Sequence, residues 1–158
     1  MNFNENLLMT YKVLLQTTEL EKSYQEFISL FRFVRVELEK EMPDYKFQGS
    51  IIENGMDYSY FQFSNEHLKN KGLKIAVVFV HRSFQFEVWV SGYNRKYQNQ
   101  YYDIIKNKEC VFELCNNPNR NDYILKLPLS KEIDLSDGES VVNQIKTASL
   151  KLVEFIKV

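Results

Sequence analysis

Apolar residues along the chain fall into helical stripes at both ends and into strand-like runs between them. Leu7, Leu8, Tyr11, Leu14 and Leu15 recur at helical spacing and predict a first helix. Thr18-Glu19-Leu20-Glu21 has the form of a capping box, in which hydroxyl and carboxylate satisfy first-turn amides. It predicts the start of a second helix whose stripe is Leu20, Tyr24, Phe27, Phe31, Val34 and Leu38. Ile28, Leu30, Phe33 and Val36 widen that stripe, so more than one side of this helix is expected to be covered. Met42-Pro43 ends it, because the residue before a proline is pushed out of the α region.

Strands follow. Phe47–Glu53 and Met56–Phe63 flank Asn54-Gly55, a dipeptide that tolerates the positive φ angles of a type I′ turn. A two-residue turn sets Ile51 opposite Tyr58 and Gly49 opposite Tyr60. It gives one face of Phe47, Ile51, Met56, Tyr58 and Tyr60, and a mixed face of Gln48, Ser50, Ile52, Asp57, Ser59, Phe61 and Phe63. Ser64–Gly72 reads as a polar loop. Leu73–His81 is apolar on both faces over Ile75–Val80, as expected of a strand covered on two sides. Phe84–Gly92 alternates, with Phe84, Phe86, Val88 and Val90 against Gln85, Glu87, Trp89 and Ser91. If Arg82-Ser83 is the turn, Phe79 pairs with Phe86, Val77 with Val88, Ala76 with Trp89 and Val78 with Glu87; a three-residue loop would exchange the faces.

After Gly92, Asn94 can cap a helix with Tyr97, Tyr101, Ile104 and Ile105 on one side. Two weaker strands, near Val111–Cys115 and Tyr123–Leu127, flank an Asn-rich loop, and Pro128 confines the second to an edge or an end. Ser136-Asp137-Gly138-Glu139 is another capping box, opening a helix with the stripe Val141, Val142, Ile145, Ala148, Leu152, Phe155 and Ile156. Hairpins make the sheet antiparallel, and three substantial helices need a face to pack on. The fold expected for residues 1–158 is a single α+β domain, a two-layer sandwich. Its sheet has four main strands in two hairpins, with the long N-terminal, mid-chain and C-terminal helices mainly on one face.

Composition narrows the function classes. Twenty basic and 21 acidic side chains leave a net charge of −1, so no global field draws in nucleic acid or an anionic membrane. No apolar run approaches the ~20 residues that span a bilayer. The N-terminal MNFNENLLMTYKVLL lacks a basic segment, long apolar core and cleavage site, so no secretory signal is expected. Cys110 and Cys115 are too few for a disulfide scaffold, which points to a reduced, cytoplasmic setting. Ten Tyr and 12 Phe against one Trp favour half-buried aromatic surfaces: a sheet face, a groove or an interface.

Several segments together resemble a family of small bacterial cytoplasmic proteins of unknown function. They are Pro43-Asp44-Tyr45, Gly55-Met56-Asp57-Tyr58-Ser59-Tyr60-Phe61, Leu73–Phe79, Phe86-Glu87-Val88-Trp89-Val90 with Tyr93-Asn94, and Gln98 with Tyr101-Tyr102. The resemblance covers nearly the whole chain, departs mainly in Glu109–Arg120, and carries no activity with it. It implies that Asp57, Tyr58, Glu87, Trp89, Tyr93 and Asn94 belong to a shared framework, structural or functional.

The candidate chemistry is sparse. His67 and His81 lie 14 residues apart and the cysteines form Cys-x4-Cys, so no metal-ligand spacing is present and no cofactor is expected. His81 beside Ser83 reads as a solvated turn residue rather than a general base. Asp57, Glu87 and Lys74 sketch a metal-dependent hydrolase or nuclease, although no lysine follows Glu87 two places on. The strand-to-helix corner Glu87, Trp89, Ser91, Tyr93, Asn94, Arg95, Lys96 and Gln98, with Tyr58 and Tyr60 from the first hairpin, is the candidate binding site for a small anionic or aromatic ligand. Arg95 and Lys96 oppose the helix dipole and need compensation, from a bound anion or from Glu87. A non-catalytic ligand-binding or protein-interaction module is therefore the first reading. The hydrolase is the second, and a homodimer with a Tyr-rich interface is the third.

Overall fold

A computed structural model of the chain describes residues 1–157. Helices α1 (Glu5–Thr17) and α2 (Leu20–Glu41) lead into the hairpin of β1 (Lys46–Asn54) and β2 (Tyr58–Ser64). A short helix α3 (Glu66–Asn70) precedes the second hairpin, β3 (Leu73–Val80) and β4 (Gln85–Gly92). Helix α4 (Arg95–Ile105), strands β5 (Glu113–Leu114) and β6 (Leu125–Pro128) and helix α5 (Gly138–Lys157) complete the chain. The class is the expected α+β. The sheet has six antiparallel strands in the order β1-β2-β3-β4-β6-β5, because β6 adds to β4 and carries β5 with it.

One face of the sheet makes the core. Phe61 and Phe63 of β2, Ile75, Val77 and Phe79 of β3, and Phe86, Val88 and Val90 of β4 join one cluster with Phe31, Val34 and Leu38 of α2. Val141, Ile145, Leu152 and Ile156 of α5, with Tyr101 and Ile105 of α4, close it from the same side. The opposite face carries Tyr58, Tyr60, Gln62, Lys74, Ala76, Glu87, Trp89 and Ser91, none of which belongs to that cluster.

The β3–β4 register is the one the alternation predicts: Phe79↔Phe86, Val77↔Val88, Ala76↔Trp89 and Val78↔Glu87. The first hairpin departs from expectation. Positive φ falls on Gly55 and Met56 (56° and 63°), one residue later than Asn54-Gly55 places it. The loop is Gly55-Met56-Asp57, so Asn54 pairs with Tyr58 and Ile52 with Tyr60. Nearer the start of β1, Gln48 pairs with Gln62 and Phe47 with Phe63, so Gly49, Ser50 and Ile51 together oppose the single residue Phe61. This bulge, made where Gly49 takes φ 55°, turns Phe47 and Ile51 onto the core face. Tyr58 and Tyr60 lie on the other face, and no ring covers Gly49.

Four smaller expectations also change. Glu19 rather than Thr18 is the N-cap of α2: the Thr18 hydroxyl accepts the Leu20 N–H at 3.3 Å, but it also donates to the Leu14 carbonyl, one of the last-turn acceptors of the preceding helix. At α5 the cap is Asp137, whose carboxylate accepts the Ser140 N–H at 3.1 Å, while Ser136 bonds to Asp134. The loop before β3 contains α3, capped by Asn65 and pinned by the buried Leu68. Phe33, Val36 and Ile104 remain 40%, 46% and 60% exposed, since α2 and α4 each cover the sheet with one side only. Helix α1 has no buried residue. Among the described residues, no helix is long and apolar enough to cross a membrane.

Candidate ligand-binding site

The sheet face opposite the core is not flat. Cross-strand pairing sets Gln62, Ala76 and Trp89 in one row, with Lys126 of β6 next to Trp89. The row beside it is Tyr60, Val78 and Glu87. Small Ala76 between two larger neighbours leaves a hollow, and Tyr58, Tyr60 and Trp89 rise around it. At one end Tyr58 and Trp89 pack with centroids 6.1 Å apart. At the other, the α4 N-terminus closes the hollow with Tyr93, Asn94, Arg95 and Gln98. The resulting cleft has a volume of about 600 Å³, within the usual 300–1,000 Å³ of small-molecule sites.

Local sequence explains each wall. Asn94 caps α4 by accepting the Tyr97 N–H at 3.0 Å, which fixes where the helix begins. Gln98 is buried on its first turn, accepting from the Gly92 N–H and donating to the Asn121 carbonyl. Gly92 is obligatory here, because a Cβ would stand 2.5 Å from the Gln98 backbone nitrogen. Trp89 is tilted between Tyr58 and Tyr123, and its indole Nε1–H donates to Glu87 Oε1 at 2.8 Å.

The charges are mostly spoken for. Buried Glu87 lies 3.5 Å from Lys126, which also faces Glu113 and sits over the Tyr123 ring. Arg95 donates to the Pro118 and Asn121 carbonyls and pairs with Asp122 at 3.2 Å. Those loop acceptors compensate its position in the first turn of α4, so neither a bound anion nor Glu87 is required for it. Lys74 has no such partner. It projects into the cleft 5.9 Å from the Tyr93 ring, and burial alone lowers its pKa.

Nine of the residues singled out in the sequence therefore line one cleft: Tyr58, Tyr60, Lys74, Trp89, Ser91, Tyr93, Asn94, Arg95 and Gln98. Glu87 stands behind Trp89 rather than in the lining. Gln62, Ala76, Val78 and Asp122 also line it and were not expected there. The first three follow from the strand alternation once the registers are known. Asp122 had no sequence signal, because the Asn-rich loop brings it in through its hydrogen bonds to Arg95 and Ser91.

Comparison with known families places the whole construction in one group. A family model described as a domain of unknown function (DUF7000) matches residues 3–158. The chain belongs to the DUF7000 family. The expected resemblance to a family of unknown function, over nearly the whole chain, is borne out. No curated protein and no solved structure matches the chain. DUF7000 membership assigns no activity, so the chemistry has to come from the geometry.

That geometry does not assemble the hydrolase trio. Asp57 sits in the β1–β2 turn, where its carbonyl accepts the His81 N–H at 3.1 Å. Lys74 lies at the opposite end of β3, seven residues and roughly 23 Å away along the strand. Among the described residues, no group of three His, Cys, Asp or Glu is placed to hold a metal ion. His81 also differs from the solvated residue expected. It packs against Phe27 and Phe79, centroids 5.0 and 5.1 Å away, and its Nε2 lies 2.9 Å from the fully buried Ser59 hydroxyl. Burial lowers its pKa, and the Asp57 charge opposes that shift. Ser59 is inaccessible to a substrate, so the pair ties β2 to the hairpin tip.

Proposed function

We propose that the chain acts as one domain and is a non-catalytic ligand-binding module, seating a small molecule in the cleft on the open sheet face. The observation that carries this reading is the cleft itself. It is about 600 Å³, walled by Tyr58, Tyr60 and Trp89, on the face that α2 and α5 leave uncovered. A non-catalytic role is supported by the engagement of Glu87, Arg95 and Asp122 in structural pairs, and by a lining with no His or Cys. A reducing, cytoplasmic setting fits two cysteines that are both free.

The test is a thermal-shift screen of nucleotides, aromatic acids and their neutral analogues. A binder should raise the melting temperature of the native protein, and Trp89→Ala should abolish the shift. A screen in which no compound moves the transition would sink the reading.

A second reading, the homodimer, is favoured by α1 rather than by the tyrosines. Leu7, Leu8, Tyr11 and Leu14 fall on one side of that helix, with exposed Phe3 just ahead of it, and Leu7 and Tyr11 are 66% and 58% exposed. Glu5 and Lys12 are its only charged residues, so it lacks the basic face of a membrane-surface helix. A dyad-related copy of the same stripe is self-complementary. The stripe offers on the order of 500 Å² per partner toward the ~800 Å² of a standard interface, the flanks supplying the rest. Sedimentation should show a dimer that Leu7→Glu converts to monomer. A wild-type monomer at every concentration would exclude it.

A further inference from the structure

Four cationic side chains are half-buried among the described residues: Arg35, Lys74, Lys126 and Lys146. Arg35 pairs with Glu39, Lys126 with Glu87 and Glu113, and Lys146 with Glu41. Lys74 alone meets no carboxylate and donates no hydrogen bond within the described residues. A cation taken out of water without a partner is costly, and folded chains rarely keep one that nothing repays. Its surroundings are the Tyr93 ring at 5.9 Å and, across the strand pair, Ser91. Asp122 is the only carboxylate in the cleft lining, and Arg95 holds it at 3.2 Å. The lining therefore carries one uncompensated positive charge.

Position adds a length. Lys74 stands two residues along β3 from Ala76, about 7 Å, and Ala76 is the floor beside Trp89. The indole cannot swing away, because Glu87 holds its Nε1–H and Tyr123 packs on its other side. An aromatic surface and an unmatched cation are thus fixed a short span apart in one cleft.

Resting on the cleft reading above, we propose that the ligand is a planar aromatic ring bearing a carboxylate or phosphate a few bonds away. The ring lies against Trp89 over Ala76, and the anion is taken by the Lys74 ammonium. A charge-assisted contact of this kind is about twice as strong as a neutral one. Arg95 is the poorer anchor, since Asp122 already balances its charge and the Pro118 and Asn121 carbonyls take further N–H donors. Lys74 was singled out in the sequence only as a catalytic lysine; in the cleft it is a positioning charge for a bound anion.

Matched probe pairs test the proposal by calorimetry on the full chain: AMP against adenosine for the phosphate, indole-3-acetate against indole-3-acetamide for the carboxylate. The anionic member of at least one pair should bind about tenfold tighter or more, and that pair identifies the group. Lys74→Gln should bring the two members to within about twofold, and Lys74→Arg, which keeps the charge, should retain the preference. Circular dichroism of both variants establishes that they fold. Equal binding of charged and neutral members would overturn the proposal and leave the cleft reading standing. A preference that survives in Lys74→Gln would overturn Lys74 as the anchor. Failure of all four probes to bind would overturn the proposal and count against the cleft reading as well.

Discussion

At the scale of single residues, two half-buried ionisable groups make the fold sensitive to conditions. The His81 imidazole is shifted below its ordinary 6.5, first by burial, with Asp57 pulling the other way. The folded state thus favours the neutral ring, and the unfolded chain binds the proton more readily. This stabilisation is complete above pH 6.5 and is lost as the pH falls from there through the folded-state value. Melting temperatures taken between about pH 5 and 8 should decline on the acid side more steeply for wild type than for His81→Gln, which cannot titrate. Parallel profiles would remove His81 as the cause. Lys74 is shifted down by burial without compensation, so Lys74→Met should raise the melting temperature of the ligand-free protein. A drop would mean that an interaction of the ammonium has been overlooked. The sequence pointed to Trp89, Tyr58 and Asn94 because each has an unusual local role. It could not weigh Lys74, since whether a lysine is solvated or stranded depends on which side the helices take.

At the scale of elements, β3 and β4 were legible because β4 alternates without interruption, and one correct pair then fixes all the others. β1 was not, because Gly49 admits a positive φ that no pattern of apolar residues announces. The same limit applied at Thr18, whose hydroxyl stands between two helices and bonds to both, donating to Leu14 of the one ending and accepting from Leu20 of the one beginning. The β4–α4 corner depends on Gly92 for space rather than for flexibility. Gly92→Ala pushes a methyl against backbone at 2.5 Å, and urea denaturation should show a loss of about 1–3 kcal/mol, the usual cost of overpacking. The variant should also weaken any ligand, because Asn94 and Arg95 move with the helix start. Unchanged stability would mean that α4 is free to shift, and that the end wall of the cleft is soft.

At the scale of the molecule, the amphipathic stripes of α2 and α5 foretold that both would seek the sheet. The helices were expected mainly on one face, and they pack on one; the stripes could not say which, and it is the aromatic face that stays open. Tertiary choice of side is a long-range matter, decided by where Phe61, Val77 and Val88 meet Phe31 and Ile145. The irregular stretch Gly49–Ile51 has a consequence at this scale too. β1 is an outer strand of the sheet, and such a strand offers unpaired amides and carbonyls to any extended chain that drifts past. Here three residues crowd into the space of one, and the guanidinium of Arg35 already holds the Gly49 carbonyl. A visiting strand finds no straight run along which to zip. The kink that spoiled the expected pairing of β1 therefore also guards the sheet against growing from one molecule into the next.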